Sequence, residues 1–135
     1  MTGSSGTQRD RPTDLGLVTI NNHAITTIAS VAAMEVHGVR HMGGGLRKTI
    51  LEMIHGRSFG GVRVLAKENE MKLVVSIIVD YGVDIPRVAD EVQENVKHSV
   101  EKMTGLVISD VDVVVEGVLP PAVGDQEKKR SPVKF

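Results

Sequence analysis

Residues 62–86 read VRVLAKENEMKLVVSIIVDYGVDIP, and this stretch decides the fold. Val62 to Ala66 and Met71 to Tyr81 are β-branched runs, and Lys67-Glu68-Asn69-Glu70 between them is a polar connection of hairpin length. In the longer run Leu73, Val75, Ile77, Val79 and Tyr81 share one face, while Lys72, Ser76 and Asp80 lie on the other with Val74 and Ile78 between them. Asp84 then offers a helix cap, with Pro86 in the first turn, where a missing amide costs little. Ile85, Val88, Ala89, Val92, Val96 and Val100 recur at helical spacing until Gly105.

Beyond this unit, Val107, Val111, Val113 and Val115 alternate with Ile108, Asp110, Asp112, Val114 and Glu116. The pattern predicts a last strand with an apolar inner face and an acidic outer one. Before the unit, Val18 and Ile20 flank Thr19 in a short strand pattern, and Asn21-Asn22 supplies an acceptor for the first amides of a helix. Ile25, Ile28, Ala29, Ala32 and Val36 predict a helix from His23 to His37, with Gly38 placed as its left-handed C-terminal cap. Gly43-Gly44-Gly45 interrupts the chain, and Leu46, Ile50, Met53 and Ile54 suggest a short amphipathic helix.

The predicted class is α/β, an α+β sandwich with the split βαβ-like order β-α-(short α)-β-β-α-β. Both long helices would pack on one face of a small sheet. Residues 1–14 lack apolar periodicity and are expected to be a disordered N-terminal tail. Residues 15–119 form a single domain, and residues 120–135, opened by Pro120-Pro121 and carrying Lys128-Lys129-Arg130, a disordered basic C-terminal tail.

With 16 Lys plus Arg against 17 Asp plus Glu, the formal net charge is -1 and supplies no global field for nucleic acid or an anionic membrane. Cysteine is absent, which excludes disulfides, thiol nucleophiles and Cys-ligated zinc or iron–sulfur centres. No apolar run approaches the roughly 20 residues that span a bilayer, so direct membrane insertion is not expected. The only aromatic residues are Phe59, Tyr81 and Phe135, which leaves few platforms for stacking bases or flat cofactors.

The chemistry-bearing residues each have a simpler reading beside the functional one. Gly43-Gly44-Gly45 with Arg40, Arg47, Lys48 and Arg57 could contact an anion or a partner, yet the run lacks the ending of a phosphate loop and follows no strand. His37, His41 and His55 are the one metal constellation, but Gly38 breaks the interval a helical pair would need, so neither metal nor cofactor is expected. Asp80, Asp84, Asp110, Asp112 and Glu116 supply carboxylates that read as a helix cap and a solvated strand face, and Ser30, Ser76 and Ser109 lack a nucleophile-elbow context. No catalytic residue is assigned, and the chain reads as no enzyme.

Nucleic-acid association through the basic insertion, with Arg63, and the C-terminal tail is the alternative function. The predicted open sheet face argues against it, because it offers Asp80, Asp110, Asp112 and Glu116 and no aromatic ring. The first helix is more informative, since from Ala24 to His37 its one formal charge is Glu35. Opposite the core stripe, Ala24, Thr27, Val31 and Met34 form a second, largely apolar strip. Two readings stand side by side, a self-association surface or a face covered by the Leu46–Ile54 helix.

The run Ile25-Thr-Thr-Ile-Ala-Ser-Val-Ala-Ala-Met-Glu-Val-His-Gly-Val39, then Gly61-Val62-Arg63-Val64, Tyr81-Gly82-Val83-Asp84-Ile85, Val92 to Lys97, Val100 to Val107 and Val111 to Val118, resembles the alkaline shock, or envelope stress response, protein family of Gram-positive bacteria. The match runs in order from about Leu17 to Val118. The resemblance implies a cytoplasmic protein linked to cell-envelope homeostasis, which forms homo-oligomers and reaches the membrane through a membrane-anchored protein partner. It brings no catalytic residue, and the His- and Gly-rich insertion and basic tail depart from its pattern.

Overall fold

The computed structural model describes residues 10–44, 58–67 and 70–121. In chain order these form β1 (Asp10–Thr13), β2 (Gly16–Thr19), α1 (Asn22–Met34), β3 (Val39–Met42), β4 (Ser58–Phe59), β5 (Val62–Lys67), β6 (Glu70–Asp80), α2 (Ile85–Thr104) and β7 (Asp110–Leu119). The short helix expected at Leu46–Ile54 lies outside the described residues.

The fold is α+β, with two helices on one face of a mixed sheet. β6 is its axis. One edge of β6 carries β7 in parallel register, from Lys72 opposite Asp110 to Asp80 opposite Leu119. The other edge is shared by two antiparallel strands, β5 along Glu70–Val75 and β3 along Ile77–Val79. Ser76 marks the handover. Its amide donates to Gly61 O and its carbonyl accepts from Gly43 N, both at 2.8 Å. β4 adds beyond β5.

The alternation in β6 sorts its side chains as the sequence predicts: Met71, Leu73, Val75, Ile77 and Val79 are fully buried against the helices. Val88, Val92, Val96 and Val100 meet them from α2, and Ile25, Ala29, Ala32 and Ala33 from α1. Burying each larger aliphatic side chain contributes about 1.5–3 kcal/mol, and a Val- and Ala-rich set lets helices lie close to the sheet.

The helix ends follow local chemistry. Asn21 Oδ1 accepts from His23 N at 2.8 Å to start α1, and Asp84 Oδ1 accepts from Arg87 N at 3.4 Å to start α2. Gly105, at φ 78°, closes α2 in the left-handed conformation expected of it.

Several expectations are corrected. Helix α1 stops at Met34, with Glu35 as its C-cap, so Gly38 is not the cap. Gly38 instead turns the chain into β3, and a Cβ there would stand 3.0 Å from Val88 Cγ2. Ile28 is only partly buried, whereas Thr26 and Ala33 enter the core. Thr26 can do so because its hydroxyl donates to His23 O at 3.1 Å, which satisfies its polar atom within the helix. Tyr81, past the end of β6, is exposed.

The first strand also differs. Its residues pair with Asp10–Thr13 in a separate two-stranded hairpin and stay out of the main sheet, so ordered structure reaches into the segment assigned to the N-terminal tail. The alternation of Val18 and Ile20 marks extended backbone but carries no information about the partner, and β2 is exposed along its whole length. Near β7, Val107 is 76% exposed and Ile108 is 1% exposed, the reverse of the expected phase. The strand begins only at Asp110, and Ile108 is held before it by its amide on Glu101 Oε2 (2.8 Å) and its carbonyl on Lys97 Nζ (3.1 Å).

Candidate interaction surfaces

Helix α1 turns Ile25, Ala29, Ala32 and Ala33 inward, and helical geometry therefore turns Ala24, Thr27, Val31 and Met34 outward. All four are exposed, with Val31 at 54% and Met34 at 42%. The Thr27 hydroxyl donates to His23 O at 2.8 Å, so this residue presents mainly its methyl group. The strip is apolar and uncharged over three turns.

The described part of the glycine run, Gly43 and Gly44, has its amides engaged within the chain. Gly43 N is taken by Ser76 O, and Gly44 N donates to Glu116 Oε1 at 3.1 Å, so the carboxylate at this point belongs to the chain itself. A Cβ on Gly43 would come within 2.6 Å of that oxygen, which explains why the position is glycine. Arg40 Nε stands 2.9 Å from Asp80 Oδ1, an ion pair with no hydrogen bond aligned on that oxygen. Arg47, Lys48, Arg57 and His55 lie outside the described residues.

His37 and His41 are exposed, on opposite sides of the Gly38 turn, and the described residues contain no group of three metal-ligating side chains. The carboxylates are dispersed. Asp84 caps α2, Asp80 pairs with Arg40, and Asp112 pairs with Lys72 at 3.2 Å. Ser109 Oγ donates to Met71 O at 3.1 Å, and Ser30 lies against the Gly60 turn.

The open sheet face carries Arg63 and Leu65 from β5, Lys72, Val74, Ser76 and Ile78 from β6, and Asp110, Asp112, Val114 and Glu116 from β7. No aromatic residue is among these described side chains.

One surface was not anticipated. Glu35 and His37 at the end of α1 face Glu91, Glu94, Asn95 and His98 of α2 across an open groove. Asn95 Nδ2 bridges the helices, donating to Ala32 O at 2.8 Å and to Glu35 Oε1 at 3.2 Å. The spacing of Glu91, Glu94, Asn95 and His98 does place them on one helical face, but nothing local pairs that face with Glu35.

These features define a mixed α+β domain whose polar side chains serve caps, turns and interstrand pairs, and whose distinctive exposed element is an uncharged helix face. A family model described as the alkaline shock protein 23 family, of cell envelope-related function, matches residues 10–120, and the chain belongs to that family. Among its relatives are two Bacillus subtilis (strain 168) proteins. YqhY is 36% identical over 110 residues, covering 78% of this chain and 79% of that protein. YloU is 31% identical over 109 residues, covering 78% and 91%. A solved structure of MamM CTD in its copper form aligns over 72% of this chain and 98% of that one, with 22% identity and a TM-score of 0.44. No helix among the described residues is long and apolar enough to cross a membrane.

Proposed function

We propose that this chain is a non-catalytic, cytoplasmic interaction and self-assembly module in cell-envelope stress homeostasis, brought to the membrane by a membrane-anchored protein partner. The family's envelope-related description supports the setting. The observation that carries the module itself is the exposed, uncharged strip of Ala24, Thr27, Val31 and Met34 on α1. An apolar strip of this kind gains by leaving water, at about 25 cal/mol per Å² buried, and it lacks the charges that ordinarily line a solvent-facing helix. The acidic, ring-free open sheet face disfavours the nucleic-acid alternative, since phosphates would be repelled there.

Sedimentation across a concentration series tests the reading, on wild type and the Val31→Asp and Met34→Glu variants, with circular dichroism on the same samples. A charge forced into an apolar interface must be desolvated without a partner, so both variants should weaken assembly by several kcal/mol and remain folded. A monomeric wild type, or variants that assemble normally, would refute self-association through this strip.

A further inference from the structure

The open face of the sheet has a charge pattern that fits one partner in particular. Register sets three side chains in a row across it: Arg63 on β5 stands opposite Val74 on β6, and Val74 stands opposite Asp112 on β7. Residues paired directly across strands point to the same side of a sheet, so a cation, an apolar group and an anion lie side by side on successive strands about 4.8 Å apart. Arg63 and Asp112 are exposed, and so are Leu65 and Val114 beside them, at 41% and 42%. Asp110 and Glu116 extend the acidic side along β7.

A face divided in this way suits neither a polyanion nor a polycation, since each would meet its own charge on one half. It suits its own copy. A row reading cation, apolar, anion becomes its own complement when turned end for end. A two-fold axis over Val74 and nearly parallel to β6 therefore lays Arg63 of each copy on Asp112 of the other. We infer that two copies of this chain pack open face to open face about that axis.

Aligned sheets pack about 10 Å apart, a gap that an arginine meeting an aspartate spans. Asp112 can serve two cations, because its Oδ2 holds Lys72 Nζ at 3.2 Å within the chain and a carboxylate has a second oxygen for the incoming guanidinium. The same pair draws Lys72, which also lies near the axis, aside from its counterpart. Leu65 and Val114 leave water in the contact, a gain that exposed ion pairs alone do not supply. The other two-fold in the plane of the contact, across the strands, sets β7 on β7 and opposes Asp110, Asp112 and Glu116 with acids, so charge selects between the two. Helix α1 packs on the other side of the sheet, and the inference is independent of its exposed strip.

Sedimentation of the full-length chain tests it, in a Val31→Asp background that disables the α1 strip, with circular dichroism on the same samples. That background should still form dimers. Adding Arg63→Glu, which makes both halves of the row acidic, should weaken them ~tenfold or more, and adding Asp112→Arg, which makes both halves basic, should do the same. Mixed in equal amounts, the two variants should recover dimers containing one chain of each, because each supplies the charge the other lacks. Arg63→Glu alone decides the matter should Asp112→Arg fail to fold. A monomeric Val31→Asp background would overturn the sheet contact, and would leave the strip reading standing if wild type assembles. Dimers indifferent to Arg63→Glu, or folded variants that do not recover on mixing, would overturn it as well.

Discussion

The carboxylate of Glu116 accepts the amide of Gly44 at 3.1 Å, joining positions 72 residues apart. Glu116 can reach because it is the extra residue of the β7 bulge, where Val115 faces Ile77 and Gly117 faces Ile78. The contact ties the end of β3 to the last strand and packs Glu116 against Gly43.

That packing makes positions 43 and 116 energetically coupled. A methyl group on Gly43 would stand 2.6 Å from Glu116 Oε1 and 2.9 Å from Ser76 Cβ, so Gly43→Ala should cost on the order of 1–3 kcal/mol. Glu116→Ala should cost about 1 kcal/mol through the lost acceptor, and Glu116→Gln less, because an amide oxygen can still accept. In the double variant Gly43→Ala/Glu116→Ala the loss should fall below the sum of the two, since one of the clashing atoms is gone. Additive denaturant midpoints would show that the two residues do not share this site.

Gly61 and Gly82 both adopt positive φ, +80° and +98°, but only one is crowded. A Cβ on Gly61 would meet Ser76 O at 2.9 Å and the backbone of Gly43 at 3.0 Å, whereas nothing lies within 4 Å of a Cβ on Gly82. Gly82→Ala should therefore lose only the left-handed strain, about 1–2 kcal/mol. Gly61→Ala should lose more, because the obstructing atoms are backbone at the handover from β5 to β3. Equal melting temperatures for the two variants would place the strain elsewhere.

Helix α1 offers a direct test of which face is core. Ile25 is fully buried, and Ile25→Ala should destabilise by about 2–5 kcal/mol. Ile28 is only partly buried, so Ile28→Ala should cost less than Ile25→Ala, and Thr27→Ala on the exposed face less than about 0.5 kcal/mol. Urea unfolding of the three variants orders them, and a Thr27→Ala loss matching that of Ile25→Ala would contradict the placement of the helix.

How much the amino-acid sequence determined follows the range of the interactions involved. The β5–β6 hairpin, the burial of Leu73, Val75, Ile77 and Val79, and α2 with its Asp84 and Gly105 ends were all readable. Each rests on alternation, helical spacing or a capping residue within a few positions. The family could be recognised for a related reason, since several such local signals occur in one order. The tertiary structure alone decided that β3 and β5 share one edge of β6 at Ser76, and that β2 pairs with β1 outside the main sheet. It alone brought Glu35 to Asn95, and set the carboxylate of Glu116 against Gly43 and Gly44. A strand pattern specifies which side chains face the core but leaves its hydrogen-bonding partner open. That partner is selected by the competition of all edges for all strands, a free-energy balance that no single window of residues contains.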